Sequence, residues 1–188
     1  FAACDAMTQL PAPMIQTREL DVPAADGLAP ARLALHAIGK GPLAFLLHGY
    51  PLDHRMWLAV MQSPLRERRT LVALDLRGHG GSPWAGDPVH RIEAFADDVA
   101  AAIKSLSDEP VDVAGLSMGG YVALALVARH PERVRSLVLS NTRAAADDEA
   151  QRAGRAQAIE TVVARGRAAI ADGMLPKLLA PDADVLVR

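Results

Sequence analysis

Ser117 stands in the segment Gly115-Leu116-Ser117-Met118-Gly119, a serine flanked by glycines at the spacing GxSxG, between two apolar runs. The chain has 14 glycines among 188 residues, and at such a composition the pattern arises by chance only about 0.04 times, so it asks for a chemical reading. A strand-to-helix turn this tight strains the backbone of the central serine. A Cβ two residues to either side would clash, which is why glycine is needed at 115 and 119. The strain lifts the hydroxyl above the carboxyl end of a sheet, where open α/β sheets bind ligands. A serine there is placed to attack a carbonyl carbon.

That attack creates an oxyanion, which needs hydrogen-bond donors fixed in advance. The N–H of Met118, in the first turn of the following helix, is one. The second comes from His48-Gly49-Tyr50-Pro51, which directly follows an apolar run. Gly49 lets this backbone bend back toward the serine and leaves the N–H of Tyr50 as the donor. His48 reads as a brace for the loop.

The elements that must position these groups are visible as alternating patterns. From Thr17 onward, β-rich runs alternate with helical ones, which predicts a mostly parallel sheet flanked by helices. Leu33 to Ile38 is an early strand. Leu43 to Leu47, Thr70 to Leu74, Val111 to Ala114 and Val134 to Leu139 are compact apolar runs that suit strands buried on both faces. Asp53 can cap a helix over His54 to Gln62. Arg91 to Leu106 carries Ile92, Phe95, Val99, Ile103 and Leu106 at helical spacing, and Met118 to Arg129 is an apolar helix stopped by His130-Pro131. After Asn141 an Ala- and Arg-rich stretch, Arg143 to Asp172, predicts helices outside the sheet that form a small lid. Asp147, Asp148 and Glu149 fit the start of such a helix, where carboxylates meet the positive end of the dipole. Met174, Leu175, Leu178 and Leu179 suit either a pocket wall or ordinary core.

Composition narrows the remaining classes. A chain that is 51% hydrophobic and 22% charged describes one soluble globular domain. Its formal net charge of −2 offers no field for phosphate backbones, and the cluster Arg66, Arg68 and Arg69 is interrupted by Glu67, so nucleic acid is not an expected partner. Cys4 is the only cysteine, and neither CxxC nor HExxH occurs, which removes the usual zinc spacings. The longest apolar run, Tyr121 to Ala128, is well short of the roughly 20 residues that span a bilayer, so no membrane association is expected and the location is expected to be cytoplasmic. The chain opens at Phe1, and its FAAC start is only faintly like a lipoprotein cleavage box, with Met7 or Met14 the expected natural start.

The segments HGYPLDHRMW (48–57), DLRGHGGS (75–82) and GLSMGG (115–120) together resemble the α/β-hydrolase superfamily, in order its oxyanion loop, post-strand loop and nucleophile elbow. The resemblance runs from Leu33 to Thr142. More weakly, SNTRAAADD and GMLPKLLAP are similar to the cap of enol-lactonase-like and small carboxylesterase members. It implies an α/β-hydrolase fold divided into a ragged or disordered N-terminus (1–16), a partial hydrolase core (17–142) and a partial helical cap (143–188), with the last two strands missing. It also implies a Ser, acid, His triad in that chain order, the last two after late strands. None of His36, His48, His54, His79, His90 and His130 lies there, and the alternative acid position after the sixth strand holds Asn141 and Thr142. His79, at the right sheet edge, is expected to support its loop, with a general-base role as the minor alternative. The chain therefore reads as truncated before its acid and histidine.

The function so implied is a serine hydrolase of a small carboxylic ester or lactone, working through an acyl-enzyme on Ser117 without a cofactor or metal. Tyr50 and Met118 form the oxyanion hole, and Gly49, Gly115 and Gly119 support the site. This chain alone is expected to be inactive, since an unassisted serine is a poor nucleophile. Alternatives are a carbon–carbon bond hydrolase or a cofactor-free perhydrolase on the same fold, or a non-catalytic binding protein. A serine at the elbow argues against dehalogenase or epoxide hydrolase chemistry, which in this superfamily uses aspartate. Nothing in the sequence indicates the oligomeric state.

Overall fold

A computed structural model describes residues 14–24, 28–166 and 168–178. The chain divides between Ala144 and Ala145 into two compact units. In the first, six strands form one sheet: β1 (Gln16–Val22), β2 (Ala31–Gly39), β3 (Leu43–Leu47), β4 (Thr70–Leu74), β5 (Val111–Leu116) and β6 (Val134–Ser140). Their order is β1-β2-β4-β3-β5-β6. The ladders β1/β2 and β2/β4 are antiparallel, and β4/β3, β3/β5 and β5/β6 are parallel.

The alternation of side chains along each strand builds two cores. Ala37, Val72, Phe45, Val113 and Leu137 are aligned across five strands and face α2 (Ile92–Lys104) and α3 (Met118–Arg129). Phe45, Phe95, Val99, Ile103 and Leu126 are sealed there, each worth about 1.5–3 kcal/mol of apolar burial. On the other face Ile38, Leu46, Met61, Leu71 and Ala73 cluster under Trp57 and Val60, which belong to a 3₁₀ turn (His54–Trp57) and to α1 (Leu58–Gln62). The predicted helix over His54 to Gln62 thus begins as a 3₁₀ turn, and Asp53 caps it as expected, its carboxylate accepting from the Arg55 N–H at 2.9 Å.

Two other expectations are corrected. The expected ragged segment 1–16 ends too late, since Gln16 already opens β1; residues 1–13, with Cys4, lie outside those described. β1 has exposed residues at most of its positions, so apolar patterning gave no sign of it, and its antiparallel pairing with β2 holds it. β6 is not buried on both faces: β5 is its neighbour among the described residues, and Val138 and Leu139 are 60% and 44% exposed.

The second unit contains α4 (Glu149–Arg165) and α5 (Ala168–Leu178), which contact each other. Asp148 caps α4 in a capping box, accepting from the Gln151 N–H at 2.8 Å while the Gln151 side chain accepts from the Asp148 N–H at 2.9 Å. Glu149 sits in the first turn and Asp147 pairs with Arg155. The three acidic residues thus serve the helix start, as their positions predicted. Of the apolar residues proposed for a pocket wall, Leu178 is exposed and Met174 half-buried; Leu179 and the side chain of Leu175 lie outside the described residues.

Candidate active site

Because β3, β4, β5 and β6 run parallel, their carboxyl ends share one edge of the sheet. The chain leaves β3 for β4 on one side and reaches β5 on the other, so the crevice of this topological switch opens between the segments after β3 and β5. Those segments are His48-Gly49-Tyr50-Pro51 and the turn at Ser117.

Ser117 has φ 52° and ψ −112°, a strained conformation for a residue with a Cβ. The turn closes only because its neighbours lack side chains. A Cβ on Gly115 would lie 2.7 Å from the Gly120 nitrogen, and one on Gly119 would lie 2.6 Å from the Leu47 carbonyl carbon and 2.8 Å from the His48 oxygen. The strained residue is tied at both ends, its N–H donating to the Ser140 carbonyl at 3.0 Å and its carbonyl accepting from the Gly120 N–H at 2.9 Å. Met118 opens α3, so its N–H has no acceptor within the helix.

The loop after β3 lies directly against this turn, since a Cβ on Gly49 would meet Leu116 Cδ2 at 3.1 Å and Ser117 Cβ at 3.4 Å. The Gly49 carbonyl accepts from the Leu52 N–H at 2.9 Å, closing a tight turn that carries Tyr50, half-exposed, and a cis Tyr50-Pro51 bond. His48 is fully buried and both its ring nitrogens are in use. The Leu76 N–H donates to Nε2 at 3.0 Å, which leaves Nδ1 to donate to the Gly49 carbonyl at 3.0 Å. Burial holds its pKa below the usual histidine value. A neutral ring bonded in this way braces the loop and has no nitrogen left to act as a base.

The other five histidines make contacts of their own. His79 donates from Nδ1 to the Arg77 carbonyl at 3.1 Å, with its ring 5.1 Å from that of His48 and edge-on to Tyr50 at 6.3 Å. His90 stacks on Trp84 at 4.3 Å, and His130 pairs with Asp97 at 2.8 Å. Among the described residues, no hydrogen bond joins the Ser117 hydroxyl to a histidine.

His36 and His54 both address Asp75, a pairing no sequence spacing could reveal, because it depends on β2 lying antiparallel to β4. The buried Asp75 carboxylate accepts from the His54 N–H at 2.7 Å, the Gly81 N–H at 2.8 Å and His54 Nδ1 at 3.0 Å, with His36 Nε2 at 3.3 Å. These three side chains offer ligand atoms within 4.8 Å of one another, a donor set of the kind that holds a divalent cation. In this structure they are bonded to one another: the two imidazoles are stacked at 3.4 Å and 16°, and both direct a ring nitrogen at the same Asp75 oxygen, His54 Nδ1 at 3.0 Å and His36 Nε2 at 3.3 Å. The set acts as a hydrogen-bonded clamp between the loops after β3 and β4. Burial and the neighbouring His54 ring push the His36 pKa down.

Arg77, also buried, anchors the loop after β4 from behind. It donates to both oxygens of Asp98 on α2 at 2.9 and 2.8 Å, to Asp87 at 2.6 Å and to the Ala29 carbonyl at 2.8 Å. The Asp98 carboxylate holds the guanidinium pKa above its ordinary value.

Comparison with known proteins gives these loops a context. The sequence profile of the alpha/beta hydrolase fold family matches residues 42–168. A pimeloyl-acyl-carrier-protein methyl ester esterase of Neisseria meningitidis serogroup A is 39% identical over 150 residues, covering 76% of this chain and 46% of that protein. Among solved structures, an esterase from Thermogutta terrifontis superposes with a TM-score of 0.75 at 34% identity, covering 86% of this chain and 58% of that one. A mutant of the N-acyl homoserine lactonase AidH, complexed with N-hexanoyl homoserine, has a TM-score of 0.61 at 26% identity, covering 69% of this chain and 46% of that one. The chain spans about half the length of the curated relatives it matches.

Proposed function

The chain belongs to the α/β-hydrolase family, and on that premise we propose that Ser117 is the nucleophile of a hydrolase for small carboxylic esters or lactones. The observation that carries the reading is the strained φ of 52° at Ser117 between glycines that admit no side chain, because strain of this kind persists only where the surrounding structure enforces it. The esterase and lactonase relatives support the same class of substrate.

In the proposed reaction the Ser117 oxygen attacks the ester carbonyl, and the N–H groups of Tyr50 and Met118 hold the oxyanion. The alkoxide departs with a proton, leaving an acyl-enzyme that water hydrolyses. A base must take the hydroxyl proton in the first step. Since no histidine is bonded to Ser117 among the described residues, we propose that these 188 residues by themselves turn over no ester.

The test uses the protein that carries this chain. Ser117→Ala should abolish hydrolysis of p-nitrophenyl butyrate, and a fluorophosphonate should label Ser117 alone. Substantial activity in the variant, or a label mapped to another serine, overturns the assignment.

A further inference from the structure

The elbow sequence ends in a second glycine, Gly120, which the steric argument for positions 115 and 119 does not explain. A Cβ on Gly120 would lie 2.5 Å from Thr142 Oγ1 and 2.6 Å from Thr142 Cβ. Thr142 reaches that place because Asn141, just after β6, takes the left-handed conformation with φ 45°, which turns the chain back over the start of α3. From there the Thr142 hydroxyl donates to the carbonyl oxygen of Ser117 at 2.9 Å.

That carbonyl belongs to the same peptide unit as the Met118 N–H. The unit is planar and trans, the cis bond among the described residues being Tyr50-Pro51, so its C=O and N–H point in opposite directions. Whatever fixes the direction of the Ser117 carbonyl also fixes the direction of the Met118 N–H. The Gly120 and Tyr121 N–H groups hold the carbonyl from the helix side at 2.9 and 3.3 Å, and Thr142 holds it from β6. A hydrogen bond to the carbonyl also polarises the peptide and makes its N–H a better donor.

Resting on the reading of Met118 as an oxyanion donor, we propose that Thr142 is a positioning residue that aims and strengthens that donor, with Gly120 present to admit it. The interaction then matters most when negative charge develops on the substrate oxygen, and it acts on turnover more than on substrate binding.

Thr142→Val keeps the shape and removes the hydroxyl, whereas Thr142→Ser keeps the hydroxyl. In the protein that carries this chain, Thr142→Val should lower kcat for p-nitrophenyl butyrate about tenfold, the size expected for one lost hydrogen bond, with KM little changed. Affinity for a trifluoromethyl ketone, which forms a tetrahedral adduct, should weaken by a similar factor, and Thr142→Ser should restore both. An unchanged kcat in Thr142→Val, a loss that tracks the melting temperature and leaves ketone affinity intact, or a failure of Thr142→Ser to restore activity overturns the proposal. Ser117→Ala, assayed in parallel, separates the two readings. If it is inactive while Thr142→Val is normal, only the role of Thr142 fails; if it remains active, the nucleophile assignment fails and this proposal with it.

Discussion

Gly119→Ala tests the steric logic of the elbow with a single methyl group. Its Cβ would stand 2.6 Å from the Leu47 carbonyl carbon, about 0.8 Å inside the 3.4 Å at which ordinary contact begins, and 2.8 Å from the His48 oxygen. Both atoms are main chain of the central strand and of the loop it leads into, so no rotamer change relieves the overlap. Overpacking of a core costs typically about 1–3 kcal/mol, and a collision with backbone belongs at the upper end. For a chain of this size that is a fall in melting temperature of roughly 6–12 °C. Because the displaced segment carries Gly49 and Tyr50, activity should fall further than stability, by about a hundredfold for a shift near 1 Å. Thermal melts followed by circular dichroism and ester turnover below the transition read the two effects. Gly154→Ala, on an exposed stretch of α4 with nothing within 4 Å of the new Cβ, should instead add up to about 1 kcal/mol. If Gly119→Ala melts with the parent and turns over normally, glycine at 119 is not a steric requirement.

Three further outcomes follow from the same geometry. Asp98→Ala removes two hydrogen bonds from the buried Arg77 guanidinium, which keeps Asp87 and the Ala29 carbonyl, and should cost about 1.5–3 kcal/mol in urea melts; a loss below about 0.5 kcal/mol would show the pair to be dispensable. Burial lowers the pKa of His36, His48 and His90 from the ordinary 6.5, so the unfolded chain takes up these protons first. Stability is then full above pH 6.5 and is lost as pH falls through the folded values. Asp53 and Asp112 are held at about 2 by hydrogen bonds from Arg55 and Arg135, which adds a second loss below the ordinary 3.8; urea melts that stay flat on both sides of pH 6.5 contradict the first part. Finally, the 188-residue chain should self-associate through β6, and Val138→Lys, charging an exposed edge-strand position, should shift its sedimentation toward monomer, whereas an unchanged profile points to another surface.

The parts of this fold that could be read in the sequence are those governed by local pattern. β3 and β4 coincide with the apolar runs Leu43 to Leu47 and Thr70 to Leu74, and α3 ends at Arg129 because Pro131 follows. The turn at Ser117 was legible for a related reason, since the serine and both glycines fall within five consecutive residues, although what Gly119 makes room for is the distant main chain of Leu47 and His48. What escaped depends on pairing between distant strands. β1 shows no apolar alternation, and only its ladder with β2 makes it a strand. The clamp of His36, His54 and Asp75 joins three segments that meet only in the folded sheet, and Thr142, placed in the sequence by what it is not, holds the carbonyl of Ser117.

The segment 75–82 shows how much of a chemical-looking motif can be architecture. A Cβ on Gly80, which has φ 52°, would lie 2.5 Å from the Asp75 carboxylate carbon, so glycine there leaves the carboxylate room to be surrounded. Ser82 donates to the Asp75 carbonyl at 2.6 Å and accepts from the Ala34 N–H at 2.9 Å, tying the segment to β2. The end of β4 then grips the loop after β3 twice: the Leu76 N–H holds His48 at its start, and the Asp75 carboxylate holds His54 farther along. Gly49 and Tyr50 lie between these two grips, with the Leu52 to Gly49 turn closing the interval. The Gly49 carbonyl, which shares a peptide unit with the Tyr50 N–H, is held by His48 and Leu52, with His48 held in turn by Leu76 after β4; the Ser117 carbonyl, which shares one with the Met118 N–H, is held by α3 and by Thr142 after β6. Both peptides are thus braced from segments after strands on opposite sides of the pair β3 and β5, whose carboxyl ends carry the loop and the serine.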